Sequence, residues 1–340
     1  MRDDVDPNAP SKPPIVLVLG NGGFGTALAM VLERNGAVVR VWGHDPDYTR
    51  RIQETRENPK FLPGVRIAPD IRFSPSIEDL APGVSFVLSV IPTQFVRETW
   101  SRLAPHLGGV RTIVSCSKGF ERGTSARPSE CIRSIVPNAR IAVLSGPSHA
   151  EEIALGLITS IVCASESLDA ARQVQTLLNT PSFRVYTSSD PLGVEIAGAA
   201  KNVIALAAGI LDGLGFGDNA RAALLCRGAS EIARLGTALG ADPRTFAGLS
   251  GIGDLIVTAT SGHSRNRAVG LRLAAGETLD EIVRSTDKVA EGVTTTSSLF
   301  ELGERLGVEL PITAEVHAIL YERKPPRLAV EDLMMRRPKD

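Results

Sequence analysis

Residues 15–25 read IVLVLGNGGFG. The run through Leu19 is aliphatic without a break, and Ile15, Val16 and Val18 are β-branched. That is the pattern of a strand buried on both faces. Gly20, Gly22 and Gly25 then fall at G-x-G-x-x-G spacing, with Asn21, Gly23 and Phe24 between them. Gly20 permits a tight turn out of the strand, Gly22 lets the backbone approach a pyrophosphate, and Gly25 lets the following helix pack on the sheet. Free N–H groups and the positive end of the helix dipole then favour phosphates. The motif gains weight from its surroundings. Thr26 to Asn35 has a helical pattern closed by Gly36, and AVVRVW (37–42) reads as a second strand. Strand, glycine turn, helix and strand make a dinucleotide-binding unit.

The cofactor is therefore NAD or NADP, and the choice stays open. Asp45 lies twenty residues after Gly25, the distance expected of an acid that binds the adenosine ribose. It also precedes Pro46, so it serves equally well as an N-cap with a first-turn proline behind it. His44, with Arg50 and Arg51 close by, suits a 2′-phosphate instead.

The same alternation continues along the chain. Residues 84–91, 110–117, 139–146, 159–165 and 183–187 read as strands, with helical stretches at 93–103, from Ser148, and at 168–178. This predicts an α/β fold with a mostly parallel, doubly wound, Rossmann-like sheet. After about residue 190 the pattern changes. Segments 191–212, 219–239, 265–274, 294–306 and 312–322 all read as helices, separated by glycine-rich turns such as GLGFGD and GLSGIGD. The expected organisation is a disordered leader over 1–14, a dinucleotide-binding domain over 15–190 and an all-helical substrate domain over 191–340.

Composition narrows the function classes. Hydrophobic residues make up 43 %, charged residues 22 % and aromatics only 4 % of 340 residues, so the core must be aliphatic. A net charge of −1 suggests no nucleic-acid surface and no polybasic membrane patch. The four cysteines, Cys116, Cys131, Cys163 and Cys226, show no metal-ligand spacing and no C-x-x-C. They fit a reducing, cytoplasmic compartment. No apolar run reads as long enough to span a bilayer, and the N-terminus lacks a secretory apolar core.

Several segments are polar where packing alone would not ask for it. GAAKNVIALAAG (198–209) places Lys201 and Asn202 in an otherwise small, apolar helix. A lysine there either snorkels at the surface or is held inside for a purpose. SCSKGF places Lys118 just past a strand, where parallel sheets face their ligands. LSGPSHAEE puts Gly146, Ser148 and Ala150 in the same kind of position, with Ser148 also readable as an N-cap. GLSGIGDLIVTATSGHSRNR holds Asp254, Thr258, Ser264, Arg265, Asn266 and Arg267. Arginines in a first helical turn oppose the dipole, which is unfavourable unless an anion sits beside them. Glu291, in KVAEG, has no role that composition reveals.

Taken together, the glycine turn, ENPKFLPG (57–64), SKG (117–119), LSGPSHA (144–150), GAAKNVIALAAG, GFGDNARAALLCRG (215–228), GIGDL (251–255), SRNR (264–267) and VAEG (289–292) resemble the NAD(P)-dependent sn-glycerol-3-phosphate dehydrogenases of the soluble bacterial type. The resemblance runs from about Ile15 to the end. It implies that Lys201 is the catalytic lysine, exchanging a proton with the C2 oxygen, and that Asp254 supports it. It implies that Lys118 touches both substrate and cofactor, and that Gly146 and Ser148 contact substrate. Ser264, Arg265 and Asn266 match the substrate-binding trio, with Arg265 also near the cofactor. His44, Ala150, Val289 and Glu291 match cofactor contacts, as do the glycine-turn residues. Asn202 is placed to orient the lysine or the carbonyl. Where the family usually carries a serine-like residue and then an aromatic, often tryptophan, this chain has Gly23 and Phe24, and Asn21 stands for a common alanine.

The resemblance implies reversible reduction of dihydroxyacetone phosphate to sn-glycerol 3-phosphate by NADH or NADPH, feeding glycerophospholipid synthesis. The partners implied are a small phosphorylated substrate and a second copy of the chain as a homodimer. A β-hydroxyacid dehydrogenase would share the two-domain plan but need a carboxylate site. A non-catalytic NAD(P)-binding sensor would need the glycine turn without Lys201, Lys118 and Asp254 together.

Overall fold

The computed structural model describes residues 13–285 and 290–336. The predicted leader, apart from Pro13 and Pro14, lies outside the described residues, as does Val289. Ten strands are present among them: β1 (Ile15–Leu19), β2 (Val38–Trp42), β3 (Glu57–Asn58), β4 (Leu62–Arg66), β5 (Arg72–Ser74), β6 (Phe86–Ser89), β7 (Thr112–Ser115), β8 (Arg140–Ser145), β9 (Thr159–Ser165) and β10 (Phe183–Ser188). Eight form one sheet in the order β10-β9-β8-β7-β6-β1-β2-β5. Every pairing in it is parallel except β8 with β9.

The register lines up the strand ends. Leu19 pairs with Trp42 and Ser89, and Ser89 pairs with Ser115. Residues just past these strands therefore share one edge of the sheet. The chain runs from β1 outward to β2 and β5, then returns to the other side of β1 for β6. A crevice at such a reversal is where open α/β sheets bind ligands. β1 is apolar throughout because both faces are covered; Val16, Leu17, Val18 and Leu19 are fully buried.

After Ser188 the described residues contain no strand. The helices Pro191–Gly213 and Asp218–Ala238 begin a second body with its own aliphatic core, which includes Ile196, Leu206, Leu235 and Leu299. Pro191–Gly213 corrects one expectation. Its 23 residues, with a mean hydropathy of 1.6 over the most apolar window, are long and apolar enough to cross a membrane. That window is wholly buried inside the protein, so its length serves core packing. Two glycines set its closest contact. A Cβ on Gly209 would sit 2.1 Å from the carbonyl oxygen of Arg267, and one on Gly270 would sit 2.2 Å from that of Leu206. The helix Arg265–Ala274 thus lies backbone against backbone on it.

Other expectations shift for local reasons. The helix predicted from Ser148 runs over Ala150–Ala154, with His149 at the N-cap position. Ser148 does not cap it, because its hydroxyl donates to the Gly146 carbonyl oxygen (2.8 Å). GLSGIGD is not an open turn. Leu249–Gly253 winds as a π-helical turn straight into the helix Asp254–Thr260. The β3–β4 pair is antiparallel with a register shift, and Pro63 and Gly64 inside β4 disguise it as loop.

Candidate active site

At the end of β1, Gly20 adopts φ +116°, and a Cβ there would lie 2.4 Å from the Val90 carbonyl oxygen. A Cβ on Gly25 would lie 2.0 Å from the Gly20 carbonyl oxygen, so only glycine lets this helix approach the turn. Gly22 differs, since a Cβ there would meet nothing within 4 Å. It is the N-cap of the helix Gly23–Arg34, which has no side-chain cap and no acid in its first turn. Uncapped N–H groups facing open space are what a pyrophosphate requires. The residues present therefore fit a dinucleotide.

The departures in this turn have structural compensation. A side chain at Gly23 would press on the Phe61 carbonyl oxygen, 2.6 Å from its Cβ, because the β3–β4 hairpin leans on the turn. The Asn21 side-chain amide donates to Thr49 Oγ1 (3.0 Å), and the Asn21 backbone carbonyl accepts from Asn58 Nδ2 (2.9 Å). Asn58 also donates to Thr26 Oγ1 (2.8 Å) and accepts from the Tyr48 hydroxyl (2.6 Å). Asn21, Tyr48, Thr49 and Asn58 thus lock the turn to its surroundings. Tyr48 and Thr49 escaped the sequence reading, and Asn58 stood in ENPKFLPG without a role. Phe24 is partly buried against the sheet core.

Past β2, His44 is exposed at the strand's carboxyl end. Asp45 accepts from the backbone N–H groups of Asp47 (3.1 Å) and Tyr48 (3.0 Å), so its side chain caps the helix Pro46–Thr55. Arg50 pairs with Asp47, and Arg51 is exposed.

Lys201 is not a snorkelling lysine: it is 5 % exposed. Its ammonium donates to Asp254 Oδ1 (2.5 Å) and Thr258 Oγ1 (2.6 Å). Asp254 is 1 % exposed, and its other oxygen accepts from Lys118 Nζ (2.8 Å). Lys118 also donates to the Gly146 carbonyl (3.2 Å), where Ser148 Oγ donates too. Thr258 is held in turn, donating to the Asp254 carbonyl oxygen (2.6 Å). One carboxylate thus joins a lysine from the sheet edge to a lysine from the helical body. Gly198 makes the approach possible, since a Cβ there would lie 2.5 Å from Ser145 Oγ at the end of β8.

The electrostatics follow from the burial. Removal from water pulls the Lys201 ammonium down to about 7; the Asp254 carboxylate opposes this, and the Lys118 charge adds to it. Burial works against ionising Asp254, but the Lys118 and Lys201 ammonium groups prevail and hold it below the usual carboxylate range. A buried lysine poised near neutrality can either give or take a proton.

Asn202 and Asn266 form the next layer. Asn266 Nδ2 donates to Asn202 Oδ1 (3.0 Å), and Asn266 Oδ1 accepts from the Gly292 N–H (2.9 Å). Beside Gly292, Glu291 accepts from the N–H and hydroxyl of Thr93, both at 3.3 Å, just beyond β6. Burial pushes the Glu291 carboxyl up, and the Arg265 charge opposes this. Ser264 caps the helix Arg265–Ala274 through the Arg267 N–H (3.2 Å). The two first-turn arginines separate in role. Arg267 is bound to Asp212 (2.7 Å), which also holds Arg221, whereas the Arg265 side chain is exposed at the helix start. Ala150 lies against the glycine turn, 3.4 Å from where a Gly23 Cβ would stand.

A dinucleotide turn, a buried ammonium near neutrality and an arginine at an adjacent helix start together define an NAD(P)-dependent oxidoreductase acting on an anionic carbonyl or alcohol. Family models described as the N-terminus and the C-terminus of NAD-dependent glycerol-3-phosphate dehydrogenase match residues 15–171 and 190–331. The chain belongs to that family. It is 48 % identical over 329 residues to a glycerol-3-phosphate dehydrogenase [NAD(P)+] of Prosthecochloris aestuarii, covering 96 % of this chain and 99 % of that one. The crystal structure of glycerol-3-phosphate dehydrogenase from Coxiella burnetii superposes with a TM-score of 0.91 at 35 % identity, covering 95 % of this chain and 99 % of that one. A ketopantoate reductase structure from Ralstonia eutropha shares the fold alone, at TM-score 0.54 and 14 % identity, over 94 % of this chain and 99 % of that one.

Proposed function

We propose that this chain reversibly reduces dihydroxyacetone phosphate to sn-glycerol 3-phosphate with NADH or NADPH, in a site at the join of a sheet domain and a helical domain near residue 190. The observation that carries the reading is the Lys118–Asp254–Lys201 bridge, with Lys201 poised at about 7. When bound, the reduced nicotinamide supplies hydride to the C2 carbonyl carbon. Lys201 donates a proton to the developing C2 alkoxide, and its charge stabilises that oxygen beforehand. Asp254 and Thr258 take two of its three N–H groups, which leaves one for the substrate oxygen. Lys118 adds a second positive charge beside the reacting oxygen and fixes Asp254 in its ionised form.

Ser264, Arg265 and Asn266 hold the substrate phosphate, with Arg265 as the charged partner. Gly146 and Ser148 face the remaining hydroxyl, and Asn202 positions the carbonyl through its bond to Asn266. Glu291, Ala150, His44 and the glycine turn hold the cofactor. An exposed arginine at a helix start suits a phosphate better than the carboxylate of a β-hydroxyacid. Three buried free cysteines suit a reducing compartment such as the cytoplasm.

The test is to follow loss of reduced-cofactor absorbance with NADH and with NADPH in the presence of dihydroxyacetone phosphate. Lys201→Ala should lower turnover by roughly 10²–10⁴-fold while fluorescence titration shows unchanged dinucleotide binding. An unimpaired rate refutes the assigned role.

A further inference from the structure

Glu195 is a second carboxylate buried where the two bodies meet, and neither the motifs nor the chemistry above uses it. It lies on the helix Pro191–Gly213, six residues before Lys201, and is 5 % exposed. Its partners come from the sheet domain. Glu195 Oε1 accepts from the Ser129 N–H (2.9 Å), and Oε2 accepts from the Ser129 hydroxyl (2.5 Å) and from Arg127 (2.9 Å). Ser129 stands in the first turn of the helix Pro128–Ile135, and Arg127 is the N-cap residue of that helix. A carboxylate of one body thus closes a helix N-terminus of the other, where free N–H groups and the dipole favour negative charge. Arg127 also reaches Glu130 on its own helix through its second terminal nitrogen (2.6 Å).

The segment that ends in Arg127 and Ser129 begins with Lys118, and it is braced along its length. Phe120 is 2 % exposed and packs into the aliphatic core of the helical body. The Phe120 carbonyl accepts from Gln94 Nε2 (2.8 Å), and the Arg122 N–H donates to Gln94 Oε1 (3.0 Å). Arg97 holds Glu121 by two bonds (2.7 and 2.8 Å), and the Glu121 N–H donates to the Ala126 carbonyl (2.9 Å), which closes the loop on itself. Lys118 and the donors to Glu195 are therefore the two ends of one stiff segment. On the facing side, Glu195 and Lys201 are two positions of one continuous helix, about 9 Å apart along its axis at about 1.5 Å per residue.

Replacing a buried ion pair by apolar residues often costs no stability, so core packing alone does not call for Glu195 and Arg127. Their placement does. The pair is the second of two bridges from the same segment to the helical body, the first being Lys118 to Asp254 (2.8 Å). Asp254 and Lys201 both belong to the helical body. Of the three bridge residues, only Lys118 comes from the sheet edge, so its distance from the other two depends on how that segment is tied down.

We propose that Glu195, through Arg127 and Ser129, is a positioning residue that holds Lys118 against the Asp254–Lys201 pair. The inference rests on the reading of Lys118 and Lys201 as the groups at the reacting carbonyl. The charged and titratable groups facing Lys201 are Asp254 from its own body and Lys118 and His149 from the sheet edge; those facing Glu195 are Arg127 and Glu130. Loosening the clamp withdraws one cation from beside Lys201 and admits water to it. Burial and Lys118 both draw the Lys201 ammonium down, against Asp254, so both changes raise its titration. Loss of the Asp254 charge would lower it, which gives the clamp a signature of opposite sign.

The test is Glu195→Gln in the full chain, with reduction of dihydroxyacetone phosphate followed from pH 5 to 10. The expected result is a kcat/KM lowered roughly tenfold to a hundredfold, as a misplacement of about 1 Å produces, with its alkaline limb moved up by about 1 pH unit. A purely structural fault lowers the active fraction and leaves the limb in place, so the midpoint separates the two. Ser129→Ala deletes one hydroxyl and keeps the ion pair. It should give a smaller upward shift, and it decides the matter if Glu195→Gln does not fold. Wild-type kinetics, or a loss of rate with the limb unmoved or moved down, overturns the clamp. Lys201→Ala keeps the two readings apart. If that variant stays active, the parent reading falls; if it is dead while the limb of the clamp variants stays in place, the clamp alone falls.

Discussion

Asp254→Asn probes the bridge most directly, because the side chain keeps its shape and loses its charge. In the native protein this carboxylate lies 2.5 Å from Lys201 Nζ and 2.8 Å from Lys118 Nζ. It opposes the burial that draws Lys201 down to about 7. Removing an opposite charge at such range lowers a lysine's titration by about 1–3 pH units, or roughly 1.4–4 kcal/mol at about 1.36 kcal/mol per unit. In the proposed reaction Lys201 acts as the ammonium form, which is present below the lysine's value and lost above it. The alkaline limb of kcat/KM for dihydroxyacetone phosphate should therefore move from about 7 in the native enzyme to roughly pH 4–6 in the variant.

Stability should change with the same sign. Breaking a buried pair by deleting one partner costs about 3–5 kcal/mol. The unfolded chain keeps the lysine proton to about 10.4, whereas the folded variant releases it well below 7. Between those values unfolding takes up a proton, so stability rises with pH. The deficit against the native enzyme should narrow as pH rises from the variant's own lysine value to about 7, and stay level above that. Denaturant melts from pH 5 to 8, beside the pH–rate profile, provide the measurement. A midpoint that stays in place or moves upward, or a deficit that widens over that range, refutes the account.

Two further outcomes bear on binding. Arg265→Ala should raise KM for the phosphorylated substrate by roughly tenfold to 150-fold, the worth of a charged hydrogen bond at about 1.5–3 kcal/mol; a fall in kcat at constant KM would place Arg265 elsewhere. Asp45→Ala should cost about 0.5–2 kcal/mol of stability through the lost cap and leave both cofactor KM values within about twofold. A large rise in KM for NADH at unchanged melting temperature would return Asp45 to the ribose.

How much of this was legible beforehand depended on whether a residue's neighbours are close in sequence. The glycine turn is legible because its spacing is local: Gly20 turns the chain at φ +116° and Gly25 packs on the Gly20 carbonyl five residues back, although the close approach of Val90 to Gly20 comes from the tertiary fold. The helices Leu168–Leu178 and Arg265–Ala274 appear with the bounds their patterns predict, because period and capping are also local. The β3–β4 pair stayed hidden because Pro63 and Gly64 weaken the strand signal and tertiary pairing against the glycine turn overrides it.

The chain by itself determined a buried parallel strand, a phosphate turn and a helical second half, since each follows from hydrophobic period and backbone freedom. It also listed polar residues out of keeping with their surroundings. Only the tertiary structure decided which of them meet. Lys118, Lys201 and Asp254 are separated by 53 residues or more along the chain, and no periodicity relates them. Arg265 and Arg267 look alike in sequence, but Asp212 occupies one and leaves the other exposed. The titration of Lys201 was undecidable from residue types, because burial and Asp254 act in opposite directions. Their balance depends on depth and distance, which exist only once the two bodies have closed around the bridge.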